Sequence, residues 1–171
     1  MGLYEDKRLY GVCQEVKSFH TYIAEAFESP FPFKTMKDFQ WSIVYSYEYP
    51  TGKSFDVIFK RETLEPTSPV ELEFRVNGST QVQNTTVDVA MRVFASVLDA
   101  TRRYVKNHAP DVISFIANKE GWDKNTREFV PNNRASLYKR MATKLSSSFG
   151  YTLTDTINAE TAIEYIITKK K

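Results

Sequence analysis

The stretch from Val70 to Ala117 constrains this chain more than any other. It reads as a strand (Val70 to Val76), a polar turn (Asn77 to Thr86), a long helix (Val87 to Asn107) and a second strand (Asp111 to Ala117). In the helix, Ala90, Val93, Phe94, Val97, Ala100, Thr101, Tyr104 and Val105 recur at spacings of three and four. Asp88, Arg92, Asp99, Arg102, Arg103 and Lys106 take the other side. Such a stripe has to be buried against a neighbour. Pro110 closes the helix, because the residue before a proline is pushed out of the helical region. Val112, Ile113, Phe115 and Ile116 form a nearly continuous apolar run, the pattern of a strand covered on both faces. A strand, a long helix and a strand at this length predict a parallel crossover.

The rest of the chain is read around that unit. Leu9 to Phe27 carries a helical period, stopped by Ser29-Pro30-Phe31-Pro32, which leads into an extended loop lying against the body of the protein. Trp41 to Tyr49 alternates as a strand, Pro50-Thr51-Gly52-Lys53 turns, and Phe55 to Arg61 returns. A further turn, Leu64 to Pro69, delivers the chain to Val70. Three antiparallel strands followed by a crossover predict an α+β domain with a mixed, mostly antiparallel sheet, spanning residues 1–171 as one unit. Asn118 to Asn133 is polar and reads as a long loop. Arg134 to Phe149 is a third helix, capped by Asn132 or Asn133 and ended by Gly150. Two strands, Tyr151 to Thr156 and Ala162 to Thr168, close the sequence.

Composition excludes several classes. The single cysteine, Cys13, rules out a disulfide within the chain, and with only His20 and His108 as histidines no Cys- or His-based metal site is expected. A net charge of +2 gives no ground to expect nucleic acid as a partner. The one place it would bind is the basic side of the last helix (Arg134, Lys139, Arg140, Lys144) with Arg102, Arg103 and Lys106. No apolar run reaches membrane-spanning length and the opening residues lack a secretory pattern, so a cytoplasmic protein is expected. Aromatic residues make up 14% of the chain and crowd its first half. They suit either a core built from large rings or a face that binds a partner.

The order of elements, from about residue 9 to 168, resembles the GNAT acetyltransferase superfamily. Asn132-Asn133-Arg134-Ala135-Ser136-Leu137-Tyr138-Lys139 looks like the "N-x-x-A…L-Y" start of that family's last helix. The resemblance implies acetyl-CoA as cofactor, Tyr138 as the acid that reprotonates the coenzyme A thiolate, and Glu73 (with Glu71) as the carboxylate that deprotonates an acceptor amine. It also implies a pyrophosphate cradle before the long helix, at Gln83, Thr85, Thr86, Val87, Asp88 and Val89. The family's pattern there is "Q/R-x-x-G-x-G/A", whose glycines let the backbone approach the phosphates. Here the stretch is Gln83-Asn84-Thr85-Thr86-Val87-Asp88, with Thr86 and Asp88 where the small residues would stand. Asp88 is equally a helix first-turn residue that complements the macrodipole.

Arg92 to Val97, Asp111 to Phe115 and Arg134 to Met141 also look like small GNAT-like proteins of tailed phages. Together these readings predict a phage-encoded GNAT-like protein with a degenerate coenzyme A loop and no cofactor. It would act as a non-catalytic partner of a host or virion protein, in the host cytoplasm or the virion, through its aromatic N-terminal half or the Asn118 to Asn133 loop. The alternative is an acetyl-CoA-dependent N-acetyltransferase in which backbone amides of Thr85 to Val89 still hold the cofactor.

Overall fold

A computed structural model of the chain describes residues 29–50, 52–65, 68–78, 86–118, 122–123, 128–129 and 133–171. The predicted Leu9 to Phe27 helix lies outside these residues. Within them the chain runs β1 (Phe33–Phe39), β2 (Ser42–Tyr49), β3 (Lys53–Arg61), β4 (Val70–Val76), α1 (Val87–His108), β5 (Val112–Asn118), β6 (Trp122–Asp123), β7 (Glu128–Phe129), α2 (Asn133–Phe149), β8 (Tyr151–Asn158) and β9 (Ala162–Lys169). One sheet has the order β1-β2-β3-β4-β5-β9-β8; β6 and β7 form a separate pair. β4 and β5 are parallel and the other neighbours are antiparallel. The mixed, mostly antiparallel sheet with a strand-helix-strand crossover is thus as the sequence predicts.

Three details differ. β1 occupies a stretch read as loop, because Phe33, Met36 and Phe39 are spaced by three and give no period of two. Its ladder with β2 is broken by a bulge between Phe33 and Thr35. As an edge strand it is exposed at every position, so no buried face imposes alternation on its sequence. Within Asn118 to Asn133, Trp122 pairs with Phe129 and Asp123 with Glu128, a ladder too short to leave a periodic signal. The apolar run of β5 is not covered on both faces: Ile113, Phe115 and Ala117 are buried, whereas Ile116 on the other face is 53% exposed.

The buried face carries Ile43, Tyr45 and Tyr47 of β2, Phe55, Val57 and Phe59 of β3, Val70 and Leu72 of β4, and Ile163, Tyr165 and Ile167 of β9. Both α1 and α2 pack on it. The Phe59 and Tyr104 rings stack 4.1 Å apart, and the Tyr47 hydroxyl donates to Asp99 Oδ2 at 2.9 Å. Burial raises the Tyr47 pKa far above that of a free tyrosine, and the Asp99 charge pushes the same way. The aromatic residues of the first half therefore divide: Phe31, Tyr45, Tyr47, Phe55 and Phe59 build the core, while Phe33, Phe39 and Trp41 remain exposed.

α1 is buried nearly all round through its middle turns, with Met91 and Val93 through Leu98 all inside. The 29–32 segment crosses it there. The Phe31 N–H donates to Ser96 Oγ at 2.9 Å, Ser96 Oγ donates back to the Arg92 carbonyl at 2.8 Å, and the Arg92 guanidinium lies 4.7 Å from the Phe31 ring centre. The loop expected to lie against the body of the protein does so. Helix α1 ends at Ala109, held left-handed at φ 43°, with its N–H bonded to the Val105 carbonyl.

Two substitutions test this account. Ser96→Ala strands a buried Phe31 N–H and should destabilise the protein by about 1–3 kcal/mol, read by chemical denaturation. Ala109→Gly removes the Cβ strain of the left-handed position and should raise stability by about 0.5–1 kcal/mol, although the glycine also loosens the unfolded chain. A lower melting temperature for Ala109→Gly would contradict it.

Candidate functional site

The feature that organises a site is the seam between β4 and β5. β4 pairs with β3 along its whole length, Val70 to Val76. Against β5 the register holds only for Val70 with Ile113 and Glu71 with Ser114. From Leu72 onward the two parallel strands are no longer paired, and a wedge opens toward their carboxyl ends. In open sheets with parallel strands this end is where ligands bind. No other described strand pairs with β4 on that side, so backbone N–H and C=O groups along both edges of the wedge are available to an extended ligand.

On the helix-bearing side the wedge is filled by Tyr138 of α2. Its ring stacks on Phe74 of β4 at 5.9 Å, meets Phe94 of α1 edge-on at 5.7 Å and lies 6.4 Å from Phe115 of β5. Tyr138 is half-buried and touches the elements on both sides of the opening. The sequence singled out Tyr138 but not Phe74, Phe94 or Phe115 as its surroundings. Each of these reads as an ordinary apolar position in its own element, and only the divergence of the strands makes them walls.

Glu73 points the other way. Leu72 and Phe74 face the helices, so the alternation of β4 places Glu73 on the opposite face, where Arg75 Nε and Lys60 Nζ pair with its carboxylate. Burial acts to raise its pKa, but the hydrogen bonds and charges of Arg75 and Lys60 outweigh it and hold the carboxyl below the ordinary range. A base poised for proton abstraction needs the opposite shift. Glu71 is exposed, with Lys60 Nζ 3.9 Å away. The structure does not bring Tyr138 and Glu73 together.

At the entrance to α1, Thr86 is the N-cap, and its Oγ1 takes up the Val89 N–H at 3.4 Å. Its carbonyl accepts the Ala90 N–H at 3.0 Å. Asp88 lies exposed in the first turn. Gln83 and Thr85 fall outside the described residues. A coenzyme A molecule would find edge groups of β4 suited to the amides of its pantetheine arm. For its diphosphate, the described part of the helix entrance offers an amide already used by Thr86 and a carboxylate of the wrong sign. The described residues thus fit the arm and not the diphosphate.

Elsewhere, Lys139, Arg140 and Lys144 of α2 are exposed, and a groove of about 420 Å³ between the helices holds Arg102 and Lys144 beside Asp99. Arg103 is paired with Asp99 Oδ2 at 2.8 Å. The basic side read from the sequence is therefore interrupted by a carboxylate. Among the described residues no cluster of His, Cys, Asp or Glu is arranged to hold a metal, and no helix is long and apolar enough to cross a membrane.

Two outcomes are expected. Tyr138→Ala empties the wedge of its ring and should cost about 2–4 kcal/mol in denaturant titration. Because the folded-state pKa of Glu73 is depressed, its ion pairs add stability above the ordinary carboxylate pKa and lose it as pH falls through the depressed value. Wild type should therefore be more stable than Glu73→Gln at neutral pH, the difference vanishing in acid. An equal difference at pH 7 and in strong acid would refute the ion-pair account.

No protein-family model and no curated protein sequence matches the chain. Three solved structures share some of its arrangement. A ribosomal-protein-S5-alanine acetyltransferase from Vibrio fischeri aligns at 12% identity and a TM-score of 0.41, over 76% of this chain and 62% of its own. RimL, a ribosomal L7/L12 alpha-N-protein acetyltransferase, aligns at 12% identity and 0.39, over 77% and 72%. A proposed acetyltransferase from Sphaerobacter thermophilus aligns at 10% identity and 0.41, over 91% and 90%. At these scores the likeness carries no argument about the site, which rests on this chain's own geometry.

Proposed function

We propose that this chain is a non-catalytic binding protein that holds an extended segment of a protein partner along the open edges of β4 and β5. The observation that carries the reading is the parting of β4 from β5 after a single short stretch of pairing. An extended peptide can satisfy such edges by strand addition, with the half-buried Phe74 offering an apolar contact where the edges separate. The placement of the two candidate catalytic groups supports binding over transfer: Glu73 is paired on the far face and Tyr138 is packed among three rings.

The second reading is an acetyl-CoA-dependent N-acetyltransferase. The wedge favours it, since the same edges suit a pantetheine arm and Tyr138 stands beside them. In that case Tyr138 would hold and deliver a proton at its hydroxyl, while the acceptor's proton would leave to solvent rather than to Glu73. When bound, acetyl-CoA would supply the thioester that makes the acetyl group transferable.

One pair of measurements separates the two. Peptides selected against the purified protein from a random library should slow amide hydrogen exchange at 72–76 and 115–118. Calorimetric titration with acetyl-CoA and coenzyme A should give no heat up to about millimolar concentration, where a binding free energy of about −4 kcal/mol would already register. Micromolar acetyl-CoA binding that protects the same amides would overturn the first reading and establish the second as the better one. Selected peptides that protect only other segments would overturn the wedge as a peptide site.

A further inference from the structure

β1 is the outer strand of the seven-stranded sheet, and all seven of its residues are exposed. It nevertheless carries large apolar side chains: Phe33 is 40%, Met36 46% and Phe39 55% exposed, with Trp41 at 49% in the turn that follows. An open edge of this length and character is a template for another strand. Natural edges are commonly guarded by bulges and lysines, and β1 has a bulge at Lys34 and a second lysine at Lys37. The question is what partner would neutralise that guard.

The sequence Phe33-Lys34-Thr35-Met36-Lys37-Asp38-Phe39 is complementary to itself when reversed. Laid antiparallel on a second copy with Met36 opposite Met36, each Lys34 faces the other copy's Asp38, and each Lys37 faces a Thr35. Opposed residues of an antiparallel pair project from the same face. Met36 and Asp38 share the helix-bearing face, since they pair with Tyr45 and Ile43 of β2. Lys34 is the residue the bulge inserts between Phe33, which pairs with Tyr47, and Thr35, which pairs with Ser46, and its exposed side chain stands at the end of the ladder. The Asp38 carboxylates and the central methionine contact are therefore on one face, and the long Lys34 side chain would reach Asp38 of the other copy from the bulge.

We propose that two copies of this chain associate edge to edge through β1, antiparallel about a two-fold axis at Met36, so that the sheet continues across the dimer. This contact is isologous: one patch meets itself, and Lys34 and Asp38 are each used twice. It lies on the opposite side of β2 and β3 from the wedge and does not depend on what the wedge binds.

A charge exchange tests it. Sedimentation velocity of the full chain between about 1 and about 100 µM should show a monomer–dimer equilibrium. Lys34→Asp places two aspartates opposite each other twice, and Asp38→Lys does the same with lysines, so each variant alone should self-associate at least about tenfold more weakly. An equimolar mixture of the two variants restores both pairs and should dimerise like wild type, as should the double exchange Lys34→Asp with Asp38→Lys. Both positions are exposed, and the double variant keeps the test decisive if a single variant fails to fold. A wild-type protein that stays monomeric, single variants that dimerise as well as wild type, or a mixture and double variant that do not recover would each overturn the proposal.

Discussion

Two neighbouring strands that stop pairing leave polar backbone on both edges and an apolar gap between them, and a fold can tolerate that only if something fills the gap. Here the filler is one aromatic side chain. Tyr138 leans from α2 onto Phe74, Phe94 and Phe115, and so joins β4, α1 and β5 at the place where the sheet has no ladder of its own. Aromatic pairs contribute through buried area and through the edge-to-face and offset geometries their quadrupoles favour. The antiparallel strands on one side and the β5-β9-β8 group on the other are each well laddered internally. Their relative placement depends on the helices and on this ring.

The same arrangement explains why chemistry and geometry diverge at the seam. A strand delivers alternate residues to opposite faces, so a carboxylate next to Phe74 in sequence cannot share its side of the sheet. Glu73 accordingly belongs to a surface network with Lys60 and Arg75, and those cations fix its charge. At the helix entrance, Thr86 spends its hydroxyl on the first turn, which is what a residue with side-chain oxygen does at that position and a glycine would not.

The crossover and its core were legible in the sequence because burial wrote them there. Val93, Phe94, Val97, Ala100 and Tyr104 recur at helical spacing since they meet the sheet, and Ile43, Tyr45 and Tyr47 alternate for the same reason. β1 escaped because all its residues are exposed and no described element covers it. The exposed Ile116 misled for a related reason: an apolar residue on a strand is no guarantee of a neighbour on that face. Tyr138 was visible as a residue of interest, but the divergence that gives it three ring partners comes from tertiary packing and leaves no mark in local pattern. The partners of Glu73 were hidden likewise, because Lys60 reaches it only through the β3–β4 register.

The seam also bears on the order in which the protein assembles. Hairpin contacts within β1 to β4 and between β8 and β9 join residues close in sequence, so their loop-closure entropy is small. The parallel contact of Val70 with Ile113 spans the whole crossover and returns little ladder for that span. β5 joins β9 over a span at least as long but with a full ladder, so on chain-entropy grounds the β1 to β4 meander and the β8–β9 hairpin form first, and β5 with the seam closes later, when α1 and α2 dock. The native molecule should then open along the same line, with β4 and β5 separating as a sub-global unit well before either half-sheet unravels.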